Sequence, residues 1–182
     1  MRFNTNVTLL RNIMTAAIVG GMAFTASAAD GTINFTGTIL DSACTVDTTS
    51  ASQTVNLGQV SRTAFAAAGD TASPTRFNIV LNNCPETVTS AAVRFDGIPD
   101  SADMNILALG SDQTATGVGV ALFESDGVTP VPLATESQQV TLNTGTGENS
   151  NVLTYVASYK ATQAAVGAGS ANATSDFTIT YQ

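Results

Sequence analysis

Two cysteines and 14 carboxylates are the residues of this 182-residue chain that could carry chemistry. The chain has no histidine, which excludes the usual general base, the commonest zinc ligand and a Ser-His-Asp arrangement. Carboxylates occur in segments that resemble loops, at Asp96, Asp100, Asp103, Asp112, Glu124 and Asp126. A carboxylate pair could in principle hydrolyse glycosides, but solvated loop charges are the simpler interpretation. We therefore predict no catalytic residue and no enzymatic activity.

Three short motifs also fall short of a binding site. Asp100 and Asp103 lack the spacing of a calcium loop. No helix is predicted to begin at Gly117 and Gly119, and no Rossmann-like unit precedes them. They therefore do not indicate a nucleotide site. Asn172 begins a three-residue glycosylation sequon, a match that arises readily by chance. We expect no cofactor, no metal and no small-molecule substrate.

The cysteines Cys44 and Cys84 are best explained as a disulfide. An even count in an exported chain is typical of a disulfide framework, and closing a loop of this length would stabilise the fold by roughly 4 kcal/mol. A metal or redox pair is the alternative, and the absence of histidine and of CxxC spacing argues against it.

Residues 1–28 are predicted to be a cleaved secretory signal peptide. Arg2 and Arg11 give a positive start, residues 13–24 are mostly apolar, and residues 26–28 supply a small-x-small cleavage pattern. A membrane anchor is the alternative, but a spanning helix needs roughly 20 apolar residues. We expect export through the periplasm to the cell surface.

The expected mature chain is strongly acidic. It carries Arg62, Arg76, Arg94 and Lys160 against 14 carboxylates, a net charge of −10. Such a surface argues against nucleic acid as a partner.

Short alternating segments separated by Gly, Asn and Asp predict an all-β fold. Strand patterns recur every 10 to 15 residues or so, which favours an antiparallel sandwich over alternating strands and helices. The patterns cover residues 33–40, 44–46, 54–60, 77–81, 91–95, 117–123, 131–133, 140–142, 153–159 and 177–181. Residues 61–74 are predicted to be a loop with one helical turn.

The first and last of these patterns carry the functional prediction. Residues 177–182 alternate apolar and polar side chains, and an amphipathic strand of this kind needs a neighbour on each side. The first pattern places Ile33, Phe35, Gly37 and Ile39 on one face. It could serve as the missing neighbour in another copy, or the two strands could pair inside one complete domain.

The sequence resembles the major shaft pilins of type 1 fimbriae, which the chaperone–usher pathway assembles. The resemblance covers nearly all of the expected mature chain. It lies in residues 31–37, 43–47, 53–60, 77–84, 105–109 and 117–122, in Gly169 and in the penultimate Tyr181.

The resemblance implies an incomplete immunoglobulin-like sandwich that lacks its final strand and is completed by a donor strand from another subunit. Residues 29–42 would be the donor extension and residues 43–182 the pilin domain. A periplasmic chaperone and an outer-membrane usher would be partners, together with further copies and adaptor or tip subunits. The residues implied in chaperone or donor binding are Gly169, Phe177, Ile179, Tyr181 and Gln182, the last through a carboxylate that a basic chaperone residue could anchor.

The predicted function is therefore that of a structural subunit in a cell-surface fimbria that supports bacterial adhesion. The alternative is a minor adaptor or a receptor-binding, adhesin-like subunit. A tip adhesin would normally need a second domain, for which 154 residues leave no room.

Overall fold

The computed structural model describes residues 31–37, 39, 43–145 and 147–182. In these residues seven strands account for nearly all regular structure, as the alternating patterns predict. They are β1 (Thr45–Val46), β2 (Thr71–Asn82), β3 (Ser90–Gly97), β4 (Val118–Phe123), β5 (Val140–Thr141), β6 (Ser150–Ala161) and β7 (Ser175–Tyr181). A short helix, α1 (Thr48–Ala51), and a 3-10 turn (Arg62–Ala64) complete the elements.

The strands form two antiparallel sheets. One has four strands in the order β1-β2-β6-β4, and the other has three in the order β5-β3-β7. The inward side chains of both sheets contribute to a single buried cluster, the arrangement of an immunoglobulin-like sandwich.

Aromatic side chains join the sheets at the centre of this core. The ring of Phe95 on β3 meets that of Tyr155 on β6 edge-on, with centroids 5.1 Å apart, and Phe77 on β2 lies 6.0 Å from Phe95. The Tyr155 hydroxyl shares a hydrogen bond of 2.9 Å with Ser137. Burial raises the pKa of Tyr155 to about 12, so its hydroxyl stays neutral in the core.

The predicted disulfide between Cys44 and Cys84 is present. It ties the residue before β1 to the residue that lies two positions after β2. Asn149 holds the same corner, because its amide donates to the carbonyl of Cys84 at 3.0 Å and accepts from its N–H at 2.8 Å.

Three segment predictions were wrong. Residues 131–133 form no strand; the return after the turn is an isolated bridge between Phe123 and Pro130. Residues 54–60 form no strand, since Asn56 accepts from the N–H of Gly58 and Gly58 turns the chain at φ +70°. Residues 71–74, predicted to be loop, belong to β2; a register shift between Ala72 and Thr75 accommodates the proline there.

Residues 31–37 contain no helix or strand, and all seven are exposed. Among the described residues, no helix is both long and apolar enough to cross a bilayer.

Candidate functional site

The strand β7 leaves one side of the core incompletely covered. Three apolar residues of β7 stand opposite three residues of β3 that are at most 3% exposed. The pairs are Phe177 with Phe95, Ile179 with Val93 and Tyr181 with Ala91. The β7 residues reach the same core but are only half-buried. Within the described chain no strand pairs with the other edge of β7, so this edge is open.

The open edge has an apolar inner face and a polar outer face. Asp176 and Thr178 are exposed, while Ile179 and Tyr181 pack against the buried cluster. Burial raises the pKa of the Tyr181 phenol above its ordinary value, so this side chain is neutral at physiological pH. An added strand could therefore bury apolar side chains here and also satisfy the free backbone groups.

A second half-buried segment packs on the same core. Val55 and Leu57 contact the buried cluster although their backbone forms no ladder. Side chains anchor this segment: Gln53 donates to the carbonyl of Asn78 at 3.1 Å, and the Ser73 hydroxyl donates to the carbonyl of Leu57. Because residues 54–60 form no strand, the flank of the core beside Val55 and Leu57 is only partly covered.

A cavity of about 390 Å³ lies next to the residues that precede β7. Residues 58–60 and 166–172 line two of its sides. Tyr159 fixes the second segment, because its hydroxyl donates to the carbonyl of Ala171 at 3.1 Å. The cavity is more than ten times the roughly 30 Å³ that a water molecule takes up in the liquid, so it can accept a large side chain.

Gly169 lies in this cavity wall rather than in β7. Its backbone runs against Thr114 and Ala115, and Ser170 accepts hydrogen bonds from both of their N–H groups, at 3.2 and 3.0 Å. A methyl group at position 169 would overlap the Ala115 nitrogen and the Thr114 hydroxyl. Glycine is therefore required at this position, because the two backbones pack too closely to leave room for a Cβ atom.

Gln182 follows β7 and is exposed. Its backbone oxygen accepts from the Ser90 N–H at 3.0 Å and from the Thr89 hydroxyl at 2.9 Å, which fixes the end of β7 against β3. The anchoring role of Gln182 towards a chaperone stays a prediction.

The predicted donor residues are exposed. Ile33 is 79% exposed, Phe35 91% and Ile39 99%, and an added methyl group at Gly37 would have no atom within 4 Å. Because these apolar side chains alternate along one short segment, they are available together for burial against a partner.

Sequence reasoning missed the cavity and the flank formed by Val55 and Leu57. The cavity combines segments about 100 residues apart, so no local pattern contains it. The glycines Gly167 and Gly169, spaced two residues apart, were the available signal for close backbone packing there.

Comparison with known proteins agrees with this geometry. The family model described as "Fimbrial protein" matches residues 33–182. A Salmonella typhimurium protein named "Fimbrial subunit type 1" is 39% identical over 171 residues, which cover 92% of this chain and 91% of the relative. The "Type-1 fimbrial protein, A chain" of Escherichia coli K12 is 37% identical and is aligned over the whole of both chains.

Solved structures show the same fold. A type I fimbria protein and antigen of Burkholderia pseudomallei superimposes with a TM-score of 0.59 at 39% identity, covering 83% of this chain and 97% of that one. The P pilus rod subunit PapA superimposes with a TM-score of 0.64 at 26% identity, covering 78% of this chain and 100% of that one. The chain thus belongs to the fimbrial protein family and is a structural subunit of a pilus.

Proposed function

We propose that copies of this chain polymerise head to tail by donating residues 29–42 of one copy to the open edge of β7 in the next. The observation that carries the proposal is the half-buried apolar face of β7, a strand that pairs with β3 along one edge and with no strand of the described chain along the other. The role is structural rather than catalytic.

The donor segment has the side chains that this face needs. Ile33, Phe35 and Ile39 are exposed in the free subunit and share one face of an extended chain. Burying all three contributes about 4.5–9 kcal/mol before the cost of ordering the segment. Backbone hydrogen bonds to β7 would set the register.

An antiparallel direction is the one consistent with a sandwich whose strand pairs are all antiparallel. Ile39, the last apolar residue on the donor face that carries Ile33 and Phe35, then reaches the beginning of β7. The cavity beside residues 166–172 lies at that end and accepts the branched side chain. Gly37 passes close to the β7 backbone where no side chain is needed.

This joint is asymmetric, because the donor segment and the open edge are different parts of the chain. An interface of this type propagates into a fibre unless its rotation closes a ring. An open apolar edge is also an aggregation hazard before assembly. A periplasmic chaperone that lends a strand, and an outer-membrane usher at which the next copy replaces it, would protect the edge until the fibre forms on the cell surface.

The proposed donation can be tested by placing the same charge on each face of the donor segment in turn. Phe35→Asp places a charge on the buried face, and Asn34→Asp places the same charge on the outer face as a matched control. Fibres sheared from cells that express each variant are heated in mild detergent and run on a gel. We expect a ladder of multimers from Asn34→Asp and almost none from Phe35→Asp.

Deletion of residues 29–40 should remove the ladder while the subunit is still exported. Equal ladders from Phe35→Asp and Asn34→Asp, or fibres of normal length from the deletion, would contradict donation by this segment.

A further inference from the structure

A buried amide near the start of β6 donates a hydrogen bond to the disulfide. The side-chain nitrogen of Asn151 lies 3.4 Å from the Sγ atom of Cys84. The same nitrogen donates to the carbonyl of Asn143 at 2.9 Å, and the side-chain oxygen accepts from the Asn143 N–H at 2.6 Å. Both amide protons are therefore used, and the backbone of Asn143 fixes which end of the amide faces the sulfur.

The fold holds the two ends of the disulfide with different firmness. Cys84 is 0% exposed, and Asn149 fixes its backbone through two hydrogen bonds. Cys44 is 8% exposed and directly precedes β1, an edge strand that pairs with β2 through two residues. Short edge elements open locally at low cost in free energy. An external reagent therefore reaches the sulfur of Cys44 before that of Cys84.

We propose that Cys44 is a site of reversible modification by small thiols, with Cys84 as the leaving group that Asn151 stabilises. A thiolate attacks the Sγ atom of Cys44, a new S–S bond forms there, and the S–S bond to Cys84 breaks. The electron pair of the broken bond leaves on Cys84 as a thiolate, which accepts the Asn151 hydrogen bond. In the reverse step the Cys84 thiolate attacks Cys44 and expels the small thiol, so neither direction needs a separate oxidant or reductant.

The charge of the chain selects among thiols. The expected mature chain carries a net charge of −10. Close to Cys44, hydrogen bonds from Thr49 hold the pKa of Asp47 below its ordinary value, so this carboxyl is ionised at neutral pH. At equal thiolate concentration a thiol with an amino group should therefore react faster than one with a carboxylate, and the reverse order would contradict this selectivity. The modification does not depend on the donation of residues 29–42.

Exchange with β-mercaptoethanol, a neutral monothiol, tests which sulfur is attacked. Fibres sheared from cells that express the full chain are incubated with this thiol at pH 8, and the reaction is stopped with excess maleimide in urea. Trypsin separates the cysteines, because Arg62 and Arg76 lie between them, and mass spectrometry then reports the adduct on each. We expect roughly tenfold more mercaptoethanol on Cys44 than on Cys84, and maleimide on Cys84. Equal mercaptoethanol adducts on both cysteines would overturn the proposal.

Asn151→Asp tests the role of the amide. The carboxylate can still accept from the Asn143 N–H, but it offers no donor to the sulfur and repels a thiolate. The second-order rate of disulfide opening should fall by roughly three- to tenfold, the effect of one hydrogen bond to a partly developed charge. Asn149→Asp is the matched control, since it adds the same charge beside the backbone of Cys84 rather than its sulfur. Its rate should stay within about twofold of wild type, as for a partly exposed charge.

A purely structural role of Asn151 would change the rate in the opposite direction. A loosened corner exposes the disulfide and speeds its opening, so slower opening does not follow from lost stability. Opening of Asn151→Asp at the wild-type rate or faster would overturn the proposal, and so would equal slowing in Asn149→Asp. A wild-type rate that rises with urea as steeply as global unfolding would also overturn it, because only the unfolded chain would then react.

Discussion

Replacement of Gly169 by alanine should destabilise the subunit, although the residue is exposed. The added methyl carbon would lie 2.5 Å from the carbonyl carbon of Thr114 and would overlap the Ala115 nitrogen. The segment 166–172 must then move away from Thr114 and Ala115, which stretches the hydrogen bonds that Ser170 accepts from them.

The magnitude follows from these contacts. Overpacking costs about 1–3 kcal/mol, and the loss of one hydrogen bond costs about 0.5–1.5 kcal/mol. The free energy of unfolding should therefore fall by about 2–4 kcal/mol. A protein of this size shifts its midpoint by about 2–4 °C per kcal/mol, so we expect a fall of about 4–16 °C.

Gly147→Ala is the matched control. Gly147 is also exposed, has no atom within 4 Å of an added methyl carbon and does not adopt a positive φ. Alanine there should leave stability unchanged or raise it by up to about 1 kcal/mol, because it reduces the entropy of the unfolded chain. Thermal unfolding of detergent-separated subunits from each variant, followed by far-UV circular dichroism, measures the difference. Equal midpoints for the two variants would show that the close approach at Gly169 does not constrain the fold.

Three further predictions concern stability. Replacing Cys44 and Cys84 by alanine should lower the free energy of unfolding by roughly 4 kcal/mol in the chain-entropy model, and reductant should have no further effect on that variant in urea unfolding. Tyr155→Phe should cost about 1 kcal/mol in the same assay, because it removes a buried hydroxyl that bonds a serine; no change would show that water replaces it. The hydrogen bond from Lys160 lowers the pKa of Asp103, so the stabilisation from this pair is complete above about pH 4–5 and is lost as the pH falls through the lowered value. Asp103→Asn should reduce the difference between urea midpoints at pH 7 and pH 3, and an unchanged difference would exclude the pair as a source of acid sensitivity.

The strands could be predicted because their inward side chains alternate over several residues. Residues 91–95 and 153–159 are examples: the patterns fall inside β3 and β6, and their apolar positions line the core. Alternation wrongly predicted a strand at residues 54–60, where Val55 and Leu57 are half-buried but side chains, rather than a backbone ladder, hold the segment.

The cavity and its cation could not be predicted from local patterns. Arg62 stands in a polar stretch with no periodicity, and only tertiary folding brings it to the same cavity as residues 166–172. The same is true of Gly169, whose close contact is with Thr114 and Ala115. A single sequence shows which residues are apolar or charged, while the distances between such segments require the fold.

The open edge of β7 also limits what can complete the subunit. A second β7 strand could offer backbone hydrogen bonds, but its own Phe177, Ile179 and Tyr181 already pack on the core of their subunit. Such an edge-to-edge pair would leave both cores half-covered. A segment whose apolar side chains pack on no core of their own can instead place them between the sheets, and Ile33, Phe35 and Ile39 are exposed in this way. If the donor segment completes β7 as proposed, we expect growth in one direction, because the apolar face of β7 already packs on its own core whereas Ile33, Phe35 and Ile39 are exposed.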